Sequence, residues 1–582
     1  MSAPLDRRGL LRRAGLLAGT LASGALLAWC APGQVPAGPP TVTPGAGATP
    51  TGPRALDRLT LSWWTDVGYP SPFAFSALGP GGVVRVSLLF DTLTWKDAHG
   101  IIPWLAERWE TTDDGLGYTF HLHPGVRWHD GRALTAGDVA FSLTYYGAHP
   151  FKWAVTDMIE RAEALDDLTV AIRLNRPFAP FLEDVAGVVP ILPRHIWEPI
   201  ADPLRYLAPE ATIGSGPFTL ASYKEGTGEY LLRANPAYFR GRPLVGELAY
   251  LLVPQAQNVV ALQQRATDAA LSTDYDVART FGQGPTYRSL ATPPFSIVRL
   301  VFNVDRPPFD RAEFRQALAW ALDRGEIGAR VVHCDVVVGS AGVVPPESPW
   351  YHQGVRQYPF DPDHARATLD GLGYRDRDGD GLREGPDGAP LTLDLLTDPA
   401  MPDAEIVAAM LRDVGLGVRL VTGDAKSHND QLQQLRYGMA LVSHIGVGGD
   451  PDFLRRWYAG QVYNTFEYGN VLHNAEFTRL ADAQVRETDP ARRRDLVARL
   501  QEILAEELPT LPLYHRRFYW VYDPAKWGGW INTAGGLMNG IPLLENKLAF
   551  LPVGGHEPSR PPAPPPRAPP GRRLRVAAPA PR

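Results

Sequence analysis

The stretch TFHLHPGVRWHDGRALTAGDVAFS, Thr119 to Ser142, gathers His121, His123, His129, Asp130 and Asp138 in a short span. His121 and His123 stand two residues apart. On an extended chain, alternate side chains share a face, and two imidazoles on one face can share a transition-metal ion. The competing reading is a solvated strand face that carries imidazoles. A second cluster, Asp376-Arg377-Asp378-Gly379-Asp380-Gly381, sets carboxylates at alternate positions with glycine at the sharp turn, as oxygen coordination of calcium requires. Glu384 and Asp387 offer further oxygens. Against this, Arg383 stands where an apolar residue is expected and Asp387 where a bidentate Glu is expected. A strand from Leu391 to Leu395 follows in place of a helix. A structural calcium ion at Asp376, Asp378 and Asp380 and a metal-free Asp/Gly hairpin both stay open. Signatures of bond-breaking chemistry are missing from the sequence: no G-x-S-x-G, Walker A loop, H-E-x-x-H or C-x-x-C occurs. A secreted hydrolase is therefore the disfavoured rival, and the chain is read as no enzyme and as needing no catalytic cofactor.

The elements around the histidines decide between their two readings. Tyr118, Phe120 and Leu122 alternate with Thr119, His121 and His123, a period of two that predicts a half-buried strand. Tyr118 lies on its core face, so the imidazoles fall on the opposite, solvated face. Pro124-Gly125 ends it, Val126 to His129 forms a second short strand, and Asp130-Gly131 is a turn pair. Thr135 and Asp138 form a capping box for a helix bearing Val139, Leu143 and Tyr146 on one side. Further on, Ile297 to Val304 is an apolar strand. Asp310 is expected to cap a helix presenting Phe314, Leu318 and Leu322, and Asp361-Pro362 to start another with proline where its missing N–H is harmless. Strands and helices alternating over such a length predict α/β lobes.

The ends of the 582-residue chain are not fold. Arg7, Arg8, Arg12 and Arg13 precede an uncharged run from Ala14 to Trp29, too short for a comfortable membrane span and read as a signal peptide. Asp6-Arg7-Arg8-Gly9-Leu10-Leu11 resembles the twin-arginine export signature. Leu27-Ala28-Trp29-Cys30 resembles a lipobox, which implies lipidation of Cys30. Trp29 departs from the small residue expected there, so an ordinary signal-peptide end or an uncleaved anchor stays open. Residues 31–56 form a Pro/Gly/Thr linker too apolar-poor to order itself. Residues 554–582 form a Pro/Arg-rich tail. A net charge of −6 leaves no nucleic-acid footprint. With Cys30 set aside, Cys334 is the remaining thiol of two, so the body carries no internal disulfide.

LAERWETTDDGLGYTFHLHPGVRWHDGRALTAGDVAFS, Leu105 to Ser142, resembles the signature of the family 5 extracytoplasmic solute-binding proteins. These are the peptide- and nickel-type receptors of ATP-binding cassette importers. Trp109, Asp114, Gly115, Tyr118, Phe120, Leu122, Trp128, Asp130, Gly131, Thr135, Ala136, Asp138 and Val139 fill its pattern. Pro193 to Trp197, Gly214 to Phe218, Phe302-Asn303, Arg315 to Leu318, Asp450-Pro451 and Pro512 to Tyr514 resemble later landmarks in the family's order. The resemblance implies an α/β, two-lobed periplasmic-binding-protein-like fold of type II, the large peptide-binder class. Its first lobe is discontinuous: 57–297 with an inserted subdomain at about 99–210, then lobe II at 298–513, then a return at 514–553. Crossovers near Leu300 and Tyr514 would form a hinge.

The same resemblance implies a monomeric receptor, exported and lipid-anchored or periplasmic. It would hand an oligopeptide or peptide-like solute to an importer permease and its ATPase. The first strand, the segment before Asp-Pro and the strand after Pro-Leu-Tyr contribute to the family's ligand site. This points to Trp63, Trp64, Tyr69, His444, Asp450, Tyr514 and His515. Many peptide binders carry a Trp and then an amine-holding Asp before Asp-Pro; in register these fall on His444 and Val447, both departures. A metal chelate or other non-peptide solute, with His444 as a contact, is the second reading.

Overall fold

The computed structural model describes residues 55–552 apart from 76–79, 295, 334, 460–471, 534, 539 and 542. The signal-peptide run, Cys30, residues 31–54 of the linker, Cys334 and the tail lie outside the described residues, and the expected linker's last residue, Leu56, opens the first strand. Five sheets organise the rest. A four-stranded sheet runs in the order Leu56–Trp63, Val245–Leu252, Glu229–Ala234, Phe218–Lys224, with its first pair parallel. The histidine strand, Gly117–Leu122, sits in a second four-stranded sheet between Ala106–Thr111 and Thr169–Leu174. Thr94–Asp97 and Gly100–Pro103 make a hairpin. A large apolar cluster from Leu59 to Leu551 binds these sheets into lobe I.

Lobe II is built on a six-stranded sheet. Its order is Val337–Val338, Thr510–Arg516, Ser296–Phe302, Met439–Ile445, Thr392–Thr397, Gly417–Thr422. Ser296–Phe302 is buried along its whole length because both faces are covered. Val298, Leu300 and Phe302 face the helices Ala312–Ala321, Pro362–Gly371 and Asp403–Asp413. Ile297 and Val301 face two smaller clusters on the other side.

The lobes are joined by a two-stranded ribbon. Arg288–Ala291 and Tyr519–Tyr522 pair in a small sheet, and their continuations Ser296–Phe302 and Thr510–Arg516 pair in the large one. Between them the Thr292 N–H donates to Phe518 O at 2.9 Å, and the Phe518 N–H to Thr292 Oγ1 at 3.0 Å.

Most local expectations hold. The Asp138 carboxylate accepts from the Thr135 N–H at 2.9 Å and also from the Arg194 N–H at 2.9 Å, so one cap ties two helices together. Asp361 caps Pro362–Gly371 through the His364 N–H at 2.9 Å. Two differ. Asp310 is not a cap: its own N–H still bonds Arg306 O in the preceding turn, and the helix begins at Ala312 with Arg311 at the N-cap position. The second short strand shrinks to one bridge, Arg127 to Ala133, because turns close in on both sides.

Candidate functional site

The opening histidines belong to scaffold. Tyr118, Phe120 and Leu122 are buried, while His121 lies 3.3 Å from Glu110 and His123 3.0 Å from Glu107, each an exposed-side pair across neighbouring strands. His129 is turned inward instead. Its Nδ1 accepts from the Gly214 N–H at 3.1 Å, and burial lowers its pKa.

The Asp/Gly hairpin does bring carboxylates together. Oxygens of Asp376, Asp378, Asp380 and Glu384 lie within 4.8 Å of one another. The Gly379 and Gly381 N–H groups both donate to Asp376, at 2.7 and 3.0 Å, and both glycines take positive φ. Asp387 does not join them; its Oδ1 accepts from the Ala389 N–H at 3.0 Å and closes its own turn.

The residues expected at the crevice separate into three groups. Trp63 is 2% exposed and stacks on Trp64, with ring centroids 4.2 Å apart. Trp64 keeps exposed surface and tilts toward Phe518 on the ribbon at 6.5 Å. Thus Trp63 is lobe I core and Trp64 reaches the lobe junction. Tyr69 is half-buried, its hydroxyl donating to Ala208 O at 3.2 Å.

The second group surrounds the ribbon in lobe II. Ile297 pairs with His444 on one side and His515 on the other, so these three share one sheet face. The His444 ring stands edge-on to Trp457 at 4.5 Å. His515 is fully buried; its Nδ1 lies 3.2 Å from Ser296 O, and burial pushes its pKa down to about 4. Tyr514, one residue earlier, points the other way. It is buried in the lobe II core, with its hydroxyl donating to Asp403 at 2.5 Å, and so lies away from this face. Strand alternation separates the two neighbours.

The third group lies where the lobes meet. Val447 is fully buried in the cluster with Ile297, Phe453 and Trp457, so it presents no surface. Asp450 receives both Nη atoms of Arg493 at 2.6 Å. Burial raises its pKa, and Arg493 opposes that rise. Asp452 holds Arg455 at 2.6 and 2.8 Å. Opposite stands Glu183 of lobe I, paired with Lys96 at 2.6 Å, and beside it Asp184. Burial, Glu183 and Asp450 all push the Asp184 carboxyl well above the usual range. Asp184 and Arg299 were missed in the sequence; the signal for Arg299 was a lone charge within the apolar run SIVRLVF.

The comparisons fit this architecture. The profile of the bacterial extracellular solute-binding proteins, family 5 Middle, matches residues 100–465. The chain belongs to this family. It is 26% identical over 468 residues to the dipeptide-binding protein of Escherichia coli (strain K12), covering 73% of this chain and 82% of that one. It is 26% identical over 458 residues to heme-binding protein A of Haemophilus influenzae, covering 72% and 80%. Among solved structures, NikA from Brucella suis in complex with Fe(III)-EDTA superposes with a TM-score of 0.73 at 23% identity, covering 84% of this chain and 99% of that one. The family 5 receptor is thus a two-lobed extracytoplasmic solute-binding protein.

Proposed function

We propose that this receptor captures an oligopeptide or peptide-like polar solute between its lobes and delivers it to the permease and ATPase of an ABC importer. The observation that carries this reading is the family match over a body whose two lobes are joined by a ribbon, with aromatic and polar side chains gathered beside it. Hinge closure around a solute follows from such a joint. Relatives named for dipeptide and di/tripeptide binding support the peptide class. The chain performs no covalent chemistry and works as a monomer. Arg7-Arg8 direct its export, and Cys30 anchors it to the membrane by lipid.

A metal chelate or other non-peptide solute is the second reading. The departures from the peptide-binder pattern at His444 and Val447 favour it, and His444 lies on the same face as Ile297. We also assign a structural calcium ion to Asp376, Asp378, Asp380 and Glu384, whose oxygens converge. Native mass spectrometry of the protein from its own host tests the main reading. A retained peptide is the expected result; a retained chelate or lipid would replace it.

A further inference from the structure

Seven arginines are buried among the described residues, and six have obvious partners. Arg85, Arg383, Arg455 and Arg493 pair with Glu545, Asp370, Asp452 and Asp450. Arg315 and Arg324 donate to backbone carbonyls of Glu507 and Gly339. Arg299 has neither. It is 1% exposed, its Nη1 donates to the Tyr458 hydroxyl at 2.8 Å, and its guanidinium lies 4.1 Å over the Trp457 ring. Its Nε and Nη2 have no hydrogen-bond partner among the described residues.

Those two atoms form one edge of the guanidinium, the edge that receives a carboxylate side-on. The structure shows that use twice. Arg455 holds Asp452 through Nε and Nη2 at 2.6 and 2.8 Å, and Arg419 holds Asp394 through the same atoms at 2.7 and 2.6 Å. In Arg299 the edge is complete and the acid is missing. The hydroxyl of Tyr437, buried on the same side of the sheet, also has no partner, and it lies close enough to sense the Arg299 charge. A buried cation without a counter-ion destabilises a fold, and an acid arriving from outside would offset that cost.

Arg299 lies on the strand that continues the ribbon between the lobes. Arg299 follows Ile297 by two residues on one strand, hence on the face shared by His444 and His515. Trp457 is contacted both by His444 and by Arg299. The pairing register slips between Val298 and Arg299, opposite Pro512, and such a bulge re-aims the side chain beside it.

We propose that Arg299 is an anion anchor for the captured solute: a ligand carboxylate seats side-on against Nε and Nη2, beside the Tyr437 hydroxyl. This rests on the solute-receptor reading and narrows it to acids. The source is a peptide C-terminus or a carboxylate of a chelate.

The test is calorimetric, with the full chain freed of ligand. The probes are a mixed tripeptide library as free acids, the same library as C-terminal amides, and citrate with and without Fe(III). The wild type should bind the free acids on the order of 100-fold tighter than the amides, about two decades of affinity for one charge-assisted bidentate contact. Arg299→Met should erase that difference, Arg299→Lys should restore part of it, and Tyr437→Phe should weaken it. Without ligand, Arg299→Met should melt no lower than the wild type, because it removes an uncompensated charge. If Met is misfolded, Lys and Phe carry the comparison. Equal binding of acids and amides, no binding of any probe, or variants that lose stability while binding acids normally would overturn the anchor. Binding of citrate without any peptide would keep the anchor and overturn the peptide reading.

Discussion

His515 shows how one side chain reports its surroundings. It is fully buried between Ile297 and Val337 in the ladder, and burial holds its pKa at about 4 against an ordinary 6.5. In the fold the imidazole stays neutral, while the unfolded chain protonates. Between pH 6.5 and 4 the unfolded state therefore binds more protons. The stability from this group is full above pH 6.5 and is lost as pH falls toward 4, by roughly 3 kcal/mol at most. His515→Gln should reduce the acid-side loss by a comparable amount. Urea unfolding at neutral pH and near pH 4.5 measures it, and parallel losses in both proteins would show that His515 does not titrate as argued. At this scale the sequence was partly legible. His515 was found through the Pro-Leu-Tyr landmark, but the same landmark also named Tyr514, which alternation turns into the core. Arg299 was hidden because a charge inside an apolar strand carries no sign of whether an acid will meet it.

Elements were legible where the determinant is local. Thr135 with Asp138, and Asp361 with Pro362, announce helix starts because the capping groups lie within one turn of each other. Asp310 failed because the turn before it still holds its backbone. The Asp376–Gly381 hairpin is local too, and its four converging carboxylates repel one another unless a cation sits among them. Chelator should therefore lower the melting temperature, and millimolar calcium should restore it by mass action. An unchanged melting curve in both conditions would leave a metal-free hairpin. What sequence could not show is the contact of two distant glycine segments. Gly540 has φ +75, and a Cβ there would fall 2.5 Å from Gly449 N and 2.9 Å from Gly448 N. Gly540→Ala should cost about 1–3 kcal/mol through that strain and weaken ligand binding, because Gly448-Gly449 and Gly540 belong to different lobes. Gly528→Ala, where a Cβ meets nothing within 4 Å, is the control and should melt like the wild type. Equal melting of the two variants would mean that the segments do not close on each other.

At the scale of the whole molecule, the landmarks from Leu105 to Tyr514 gave the fold, because each marks a turn or cap whose chemistry is set by a few neighbours. The pairing of lobes was not legible in that way. Asp184 of lobe I senses the charges of Asp450 and Arg456 in lobe II, and the Ala179 N–H donates to Val485 O at 2.7 Å; these neighbours are brought together by the chain's crossing through the ribbon rather than by any spacing. Among the described residues no helix is long and apolar enough to cross a membrane; the membrane attachment proposed above lies ahead of them in the sequence. Cys30 is the candidate, since it ends an uncharged run and precedes a linker of Pro, Gly, Thr and Ala. That composition suits a tether between a lipid anchor and the two lobes. A single acyl chain binds membranes weakly, and two or more are needed for stable attachment; a lipidated cysteine at a processed N-terminus would have to meet that condition. Cys30→Ser should therefore move the protein from the membrane fraction to the soluble one while leaving its melting temperature unchanged, because the residue lies outside both lobes. Fractionation after mild carbonate washing reads the first effect and thermal denaturation the second. Wild type and variant that are equally soluble would rule out the anchor, and a variant that stays membrane-bound would assign attachment to the uncleaved run from Ala14 to Trp29.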